Sequence, residues 1–337
     1  TFITPENDPD YKAAEFYYTD AISDNTVNFL RAHEKESPAK PFFMYVAYTA
    51  AHWPMHALEK DIAKYKGKFD GGYERERQAR LKRMKQLGLI DPKWDVAPTV
   101  GNWSAVNKEW EARCMEVYAA MLDNMDQGIG RIVNELKRTG RLDNTVIFFL
   151  QDNGGCAEEN GRRPVKKAPP TDLKPMLPDD LQLIAAPVQT RDGRPVRRGP
   201  GVMPGGADTF VAYGENWANV SNTPFREYKH WVHEGGISTP LIVHWLKGIP
   251  RSRNGKLETQ PGHLIDIMAT CVEASGVSYS KEMNGEKIKP MQGVSLLPAL
   301  QGADLKRPEP IFFEHESNRA VRDGKWKLVA KADQRWE

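Results

Sequence analysis

The sequence predicts an α/β domain: a mostly parallel central sheet flanked by helices, followed by the start of a small antiparallel C-terminal subdomain. Three observations carry this prediction. Residues 145–150, Thr-Val-Ile-Phe-Phe-Leu, are apolar and β-prone throughout, the texture of a strand buried on both faces. Tyr118, Met121, Leu122, Met125, Ile129, Ile132, Val133 and Leu136 recur in three- and four-residue steps, which is one face of a long helix over about 108–139. Beyond Gly302 the texture changes to short β-prone runs punctuated by Asp323-Gly324, a strong hairpin turn signal.

The elements follow in order. Ile22, Thr26, Phe29 and Leu30 give residues 19–33 a helical period. Residues 42–48, entered through Pro41, are a short apolar run expected to form a buried strand that delivers the chain to His52-Trp53-Pro54. Residues 58–107 are polar, and within them 73–87 reads as a solvated basic helix. Gly140 stops the long helix, and the 145–151 strand begins a few residues later. Strand, helix and strand with short connections predict right-handed parallel crossovers. Residues 154–204 show no period and are rich in Pro, Gly, Lys and Arg. A connection of that length is functional or disordered. Arg162, Arg163, Lys166, Lys167, Arg197 and Arg198 either rim a site for an anion there or are simply solvated. Residues 240–245 are another buried strand, 263–274 a helix closed by Gly276, and 311–314 and 319–329 antiparallel strands. A domain boundary is expected between 302 and 303.

Composition bounds what such a chain does. Its 337 residues are 40% hydrophobic and 27% charged, with a formal net charge of +2. The balance is too even for a nucleic-acid binder, and no apolar run approaches the ~20 residues that cross a bilayer. Three widely spaced cysteines, Cys114, Cys156 and Cys271, form neither a disulfide framework nor a zinc cluster. The first residue is Thr1, and both ends read like the middle of a protein, so an internal portion of a longer chain is expected.

The chemistry gathers where the 145–151 strand stops. Asp152 and Asn153 are two hard oxygen ligands followed by Gly154 and Gly155. Ligands collect at the carboxyl ends of strands in open α/β sheets, and a carboxylate beside a carboxamide suits calcium. The same residues also make an Asx turn that merely ends a strand. His52-Trp53-Pro54 follows another expected strand, and Lys229 lies five residues before Glu234-Gly235-Gly236.

In order and spacing, these pieces resemble the type I sulfatases, the formylglycine-dependent arylsulfatases of the alkaline phosphatase superfamily. The stretch from Leu122 to Gly130, leading into Asn144, Thr145 and the Asp-Asn pair, carries the resemblance further. It implies that residues 1–302 are a sulfatase-like α/β catalytic domain and that the protein hydrolyses sulfuric esters. It implies that Asp152 and Asn153 are two ligands of a single Ca2+, that Lys229 contacts the sulfate group and that His52 stands beside the leaving-group oxygen. A cation and a fixed ammonium stabilise charge on the sulfate oxygens, and a hydrogen-bond donor stabilises the departing oxygen. His315, Asn318 and Arg319 are candidates for the substrate rim. His56, His230, His233 and His244 are expected to be structural.

The chain departs from the family pattern in its nucleophile segment, its N-terminal pair of aspartate ligands and its first lysine and histidine, none of which has a counterpart here. The nucleophile of the family is a cysteine oxidised to formylglycine in a Cys-x-Pro-Ser-Arg segment, and none of the three cysteines here lies in one. The formylglycine is therefore expected upstream of Thr1, and this polypeptide alone is expected to be inactive. Two alternatives stand beside the hydrolase. One is a non-catalytic binder of sulfated glycans. The other is a phosphatase or phosphodiesterase of the same superfamily, disfavoured because Asn153 is a poor zinc ligand where those enzymes use an Asp-His pair. The partner implied is a sulfated small molecule or sulfated carbohydrate, with no nucleic acid and no membrane. The resemblance further implies a periplasmic or secreted protein.

Overall fold

A computed structural model describes residues 11, 15–165, 170–177, 179–184 and 186–337. Lys166 and Lys167 lie outside the described residues. The chain divides into two compact units. The first comprises residues 1–86, 93–141 and 155–224, and the second residues 87–92, 142–154 and 225–337. The boundary expected at 302 is not where this division falls: the C-terminal strands belong to the same unit as the Asp152 strand.

The first unit is helical. Helix α1 (Tyr18–Glu36) is followed by α2 (Glu59–Ile62), α3 (Gly72–Gln86), α4 (Lys108–Arg138) and α5 (Gly214–Ser221). The 31-residue α4 starts where the Asn107 side chain accepts a hydrogen bond from the Trp110 amide, satisfying a donor that the helix itself leaves unpaired. Of the predicted face, Met121, Met125 and Leu136 are buried, while Leu122 is exposed. Helix α4 packs on α1, and Gly128 permits the close approach: a Cβ there would stand 2.1 Å from Ser23 Oγ. Glu135, buried on α4, ties the pair by accepting from Arg31 at 3.2 Å and from Arg138 at 2.6 Å. Elsewhere Trp217 of α5 is fully buried among Tyr73, Trp103 and Phe69 in edge-to-face contacts. Arg162, one of the loop cations expected at an anion site or in solvent, is instead buried in an ion pair with Glu111 and lies over the Trp110 ring.

Residues 42–48 correct one expectation. They form no ladder, and residues 41–49 alternate between exposed and half-buried, with Phe43 77% and Tyr45 84% exposed. The period of two is that of an extended chain, but apolar composition alone does not supply a hydrogen-bonding neighbour.

The second unit contains β1 (Ile147–Leu150), α6 (Glu234–Ile237), β2 (Leu241–His244), α7 (Ile265–Ser275), the two-residue pair β3 (Glu282–Met283) and β4 (Glu286–Lys287), α8 (Leu297–Leu300), and β5 (Ile311–His315), β6 (Asn318–Asp323) and β7 (Trp326–Ala330). The parallel sheet is the second correction. β1 pairs with β2 antiparallel, Ile147 opposite His244 and Leu150 opposite Leu241. Both strands are at least partly exposed rather than buried on both faces, Ile242 to 60%. Uniform apolarity marks a strand but is silent on the direction of its partner. The C-terminal antiparallel sheet forms as expected, in the order β5-β6-β7, with Asp323 opposite Trp326 across the turn. Helix α7 ends at Gly276, whose φ of 70° is the left-handed cap for which glycine is suited.

Hydrogen bonds from Arg138 and Arg31 hold the Glu135 carboxyl down from its ordinary 4.5 to about 2. Because the folded value lies below the unfolded one, this contribution is complete above pH 4.5 and is lost as pH falls through about 2. Thermal melts should therefore show Glu135→Gln less stable than wild type at pH 7, with the gap closing progressively below pH 4.5.

Candidate active site

The strand β1 ends at Leu150, and the next residues are fixed by segment 234–239. Thr239 Oγ1 donates to Gln151 O at 2.9 Å, and Gly154 N donates to Gly236 O at 2.8 Å. No side chain fits at this junction. A Cβ on Gly154 would stand 1.7 Å from Gly235 O, one on Gly235 2.1 Å from Glu227 O, and one on Gly236 1.9 Å from Trp231 O. Backbone packs directly on backbone, so the loop bearing Asp152 and Asn153 and the loop bearing Lys229 share one glycine contact.

Asp152 is exposed, and among the described residues its carboxylate makes no hydrogen bond or ion pair. Asn153 Nδ2 donates to Gly154 O at 2.9 Å, which identifies Oδ1 as the uncommitted atom of that amide. Two hard oxygens at the end of a strand match the chemistry of a calcium site. They are a fraction of the ~6–8 oxygens calcium takes. Neither residue belongs to the two clusters of three or more metal-ligating His, Cys, Asp or Glu found among the described residues.

Lys229 is half-buried, on a loop where Glu227 (φ 66°) and His230 (φ 85°) both adopt left-handed backbone. Such residues cost about 1–3 kcal/mol each and persist only where the surroundings hold them. Here the C-terminal sheet holds them. Lys331 Nζ pairs with Glu227 at 2.6 Å, and Asn318 Nδ2 donates to His230 O at 3.1 Å and to His315 O at 3.0 Å. Lys327 Nζ reaches Glu234 at 2.7 Å, and the partial burial of that ammonium lowers its pKa against the opposing pull of Glu234. Asn318 is thus buried, and its Oδ1 accepts from Ala332 N as well. His315 is exposed beside the His230 ring, with centroids 5.6 Å apart, and Arg319 lies over Trp336.

His52 belongs to the first unit and is exposed. Its Nδ1 is 2.7 Å from Trp53 O; a carbonyl oxygen only accepts, so Nδ1 carries a proton and donates. Trp53 Nε1 in turn donates to Glu158 Oε2 at 2.6 Å, and Cys156 Sγ donates to the same oxygen at 3.0 Å. Glu158 and the role of Cys156 are not legible in the sequence. They lie more than a hundred residues from Trp53, and no spacing signals the contact. His56 and His233 have structural partners. His56 Nε2 donates to Thr209 O at 2.7 Å, and His233 pairs with Glu337 at 3.2 Å; burial lowers the pKa of both.

Residues 1–277 match the family described as Sulfatase. The chain is 30% identical over 302 residues to an arylsulfatase of Klebsiella aerogenes, covering 88% of this chain and 59% of that protein. It is 29% identical over 338 residues to an uncharacterized sulfatase, PB10D8.02c, of Schizosaccharomyces pombe, covering 97% of this chain and 56% of that protein. The crystal structure of Ps i-CgsB in complex with k-i-k-neocarrahexaose shares the fold with a TM-score of 0.56 at 22% identity, over 96% of this chain and 49% of its own. This chain belongs to the sulfatase family. It spans a little over half the length of the two curated relatives above.

The glycine junction makes a sharp prediction. Gly235→Ala forces Cβ into two backbone carbonyls and should destabilise the protein by about 3 kcal/mol. Gly130→Ala, in α4 with nothing within 4 Å, should instead stabilise it by about 0.5–1 kcal/mol. Denaturant titrations of the two variants check both signs.

Proposed function

We propose that the protein carrying this chain is a sulfuric ester hydrolase in which Asp152 and Asn153 ligate one calcium ion, Lys229 binds the sulfate group and His52 serves the leaving-group oxygen. The observation that carries it is the pair of uncommitted hard oxygens ending β1 in a chain of the sulfatase family. When bound, the calcium ion draws negative charge from the sulfate oxygens.

The chain's own residues supply the rest. Lys229, on a loop with two left-handed residues, supplies the positive charge that an anionic ester needs. With Nδ1 of His52 committed to the Trp53 carbonyl, Nε2 is the nitrogen that exchanges a proton at the departing oxygen. The nucleophile is not among these residues, since no cysteine here lies in a Cys-x-Pro-Ser-Arg segment.

The substrate we propose is a sulfated carbohydrate or a smaller sulfate ester. An open depression of about 510 Å³ beside the Lys229 loop, lined by His230, Trp231, Glu316, Asn318, Lys331, Ala332 and Gln334, is the surface such a substrate would meet. His315 and Arg319 then belong to the rim, with Asn318 as a positioning residue that ties the rim to the Lys229 loop. Among the described residues no helix is long and apolar enough to cross a membrane, and a periplasmic or secreted location is part of the proposal.

The protein as its gene encodes it should hydrolyse a chromogenic aryl sulfate. Lys229→Ala and His52→Ala should each lower kcat by about 10²–10⁴-fold. Asp152→Ala should raise the calcium concentration needed for half-maximal activity. Retention of wild-type kcat in Lys229→Ala would remove the proposal. Sulfated-glycan binding without turnover would identify a binder instead.

A further inference from the structure

We propose that His52, Cys156 and Glu158 form a second metal site, one for a borderline-soft transition ion of the Zn2+ type, whose occupancy withdraws His52 from catalysis. One ligand atom from each of the three residues lies within 4.8 Å of the others, and Cys156 Sγ is 3.0 Å from Glu158 Oε2. A tetrahedral zinc spaces its ligands by roughly 3.5 Å, so small side-chain rotations close the set.

The support around these ligands is already in place. Ligating imidazoles donate their other nitrogen to a fixed acceptor, and ligating carboxylates are themselves hydrogen-bonded. Trp53 does both: its carbonyl takes the His52 Nδ1 proton at 2.7 Å, and its indole donates to Glu158 at 2.6 Å. Imidazole, thiolate and carboxylate together select zinc and its neighbours over calcium, which takes only hard oxygens. The site is therefore chemically distinct from Asp152 and Asn153. His52 is exposed, which gives an ion from solvent its first ligand. Binding replaces the Sγ–H bond with a sulfur–metal bond, and the proton passes to water. With three protein ligands, the fourth position is left to water or to an anion.

The inhibitory part rests on the role proposed for His52; the metal site itself does not. The test is a cobalt titration of the calcium-replete protein. One equivalent of Co2+ should produce a sulfur-to-metal charge-transfer band in the near ultraviolet, which Zn2+ then displaces. The band should vanish in Cys156→Ser. In Trp53→Phe, which keeps all three ligands but removes the indole donor, cobalt affinity should fall about tenfold or more. No band, or an undiminished band in a Cys156→Ser protein with the wild-type melting temperature, overturns the site. On an aryl sulfate, zinc should inhibit the wild type, and the half-inhibiting concentration should rise at least about tenfold in Cys156→Ser, each measured against its own zinc-free rate. A cobalt band together with zinc-insensitive hydrolysis overturns the competition for His52. A band in a protein that hydrolyses no sulfate ester keeps the metal site and sinks the hydrolase.

Discussion

The arrangement around the proposed calcium ligands depends on one close contact, where the backbone at Gly154 meets that at Gly235 and Gly236. A hydrogen bond from Gly154 N to Gly236 O holds the two chains at a separation that excludes any Cβ. Close packing makes such a contact all-or-none, because a methyl group has nowhere to go but into a carbonyl oxygen. The contact joins the end of β1 to the loop that carries Lys229. The C-terminal sheet then completes the frame through Lys331 to Glu227, Asn318 to His230 and Lys327 to Glu234. Two residues of that loop adopt left-handed backbone, and these side-chain anchors offset the conformational cost.

The two candidate metal sites differ in the kind of atom they offer. Asp152 and Asn153 present hard oxygens, with the Asn153 amide nitrogen already committed to Gly154 O. His52, Cys156 and Glu158 present nitrogen, sulfur and oxygen, with Trp53 orienting two of the three. Ligand softness keeps the two chemistries apart more firmly than affinity does, since transition ions outcompete calcium wherever nitrogen or sulfur is available. Trp53 thus does more than pack against Phe210, its edge-to-face neighbour.

Much of this was legible in the sequence where the signal is local. The periodic stripe of α4 located the helix to within a residue or so, and Asp323-Gly324 located the β6–β7 hairpin. The Asp152-Asn153-Gly154-Gly155 string was recognisable as the end of a strand with hard oxygens because strand, ligand and turn residues are contiguous. Gly154 and Gly235 could be flagged as glycines, but not as partners in one contact.

By itself, then, the sequence located helices α1, α3, α4 and α7, strands β1 and β2, the C-terminal strands and the family, and it singled out the hard-oxygen pair, through signals carried within short windows by side-chain period, turn chemistry and motif. Tertiary structure alone decided that β1 pairs antiparallel with β2, that residues 42–48 take no ladder, and that Arg162 is buried against Glu111. It alone brought Glu158 and Cys156 to Trp53 and bound Asn318 to the Lys229 loop. The physical reason is the same in each case: a residue's own chemistry fixes what it can bond to, but which partner arrives is settled by chain closure over tens to hundreds of residues, and no local pattern records that.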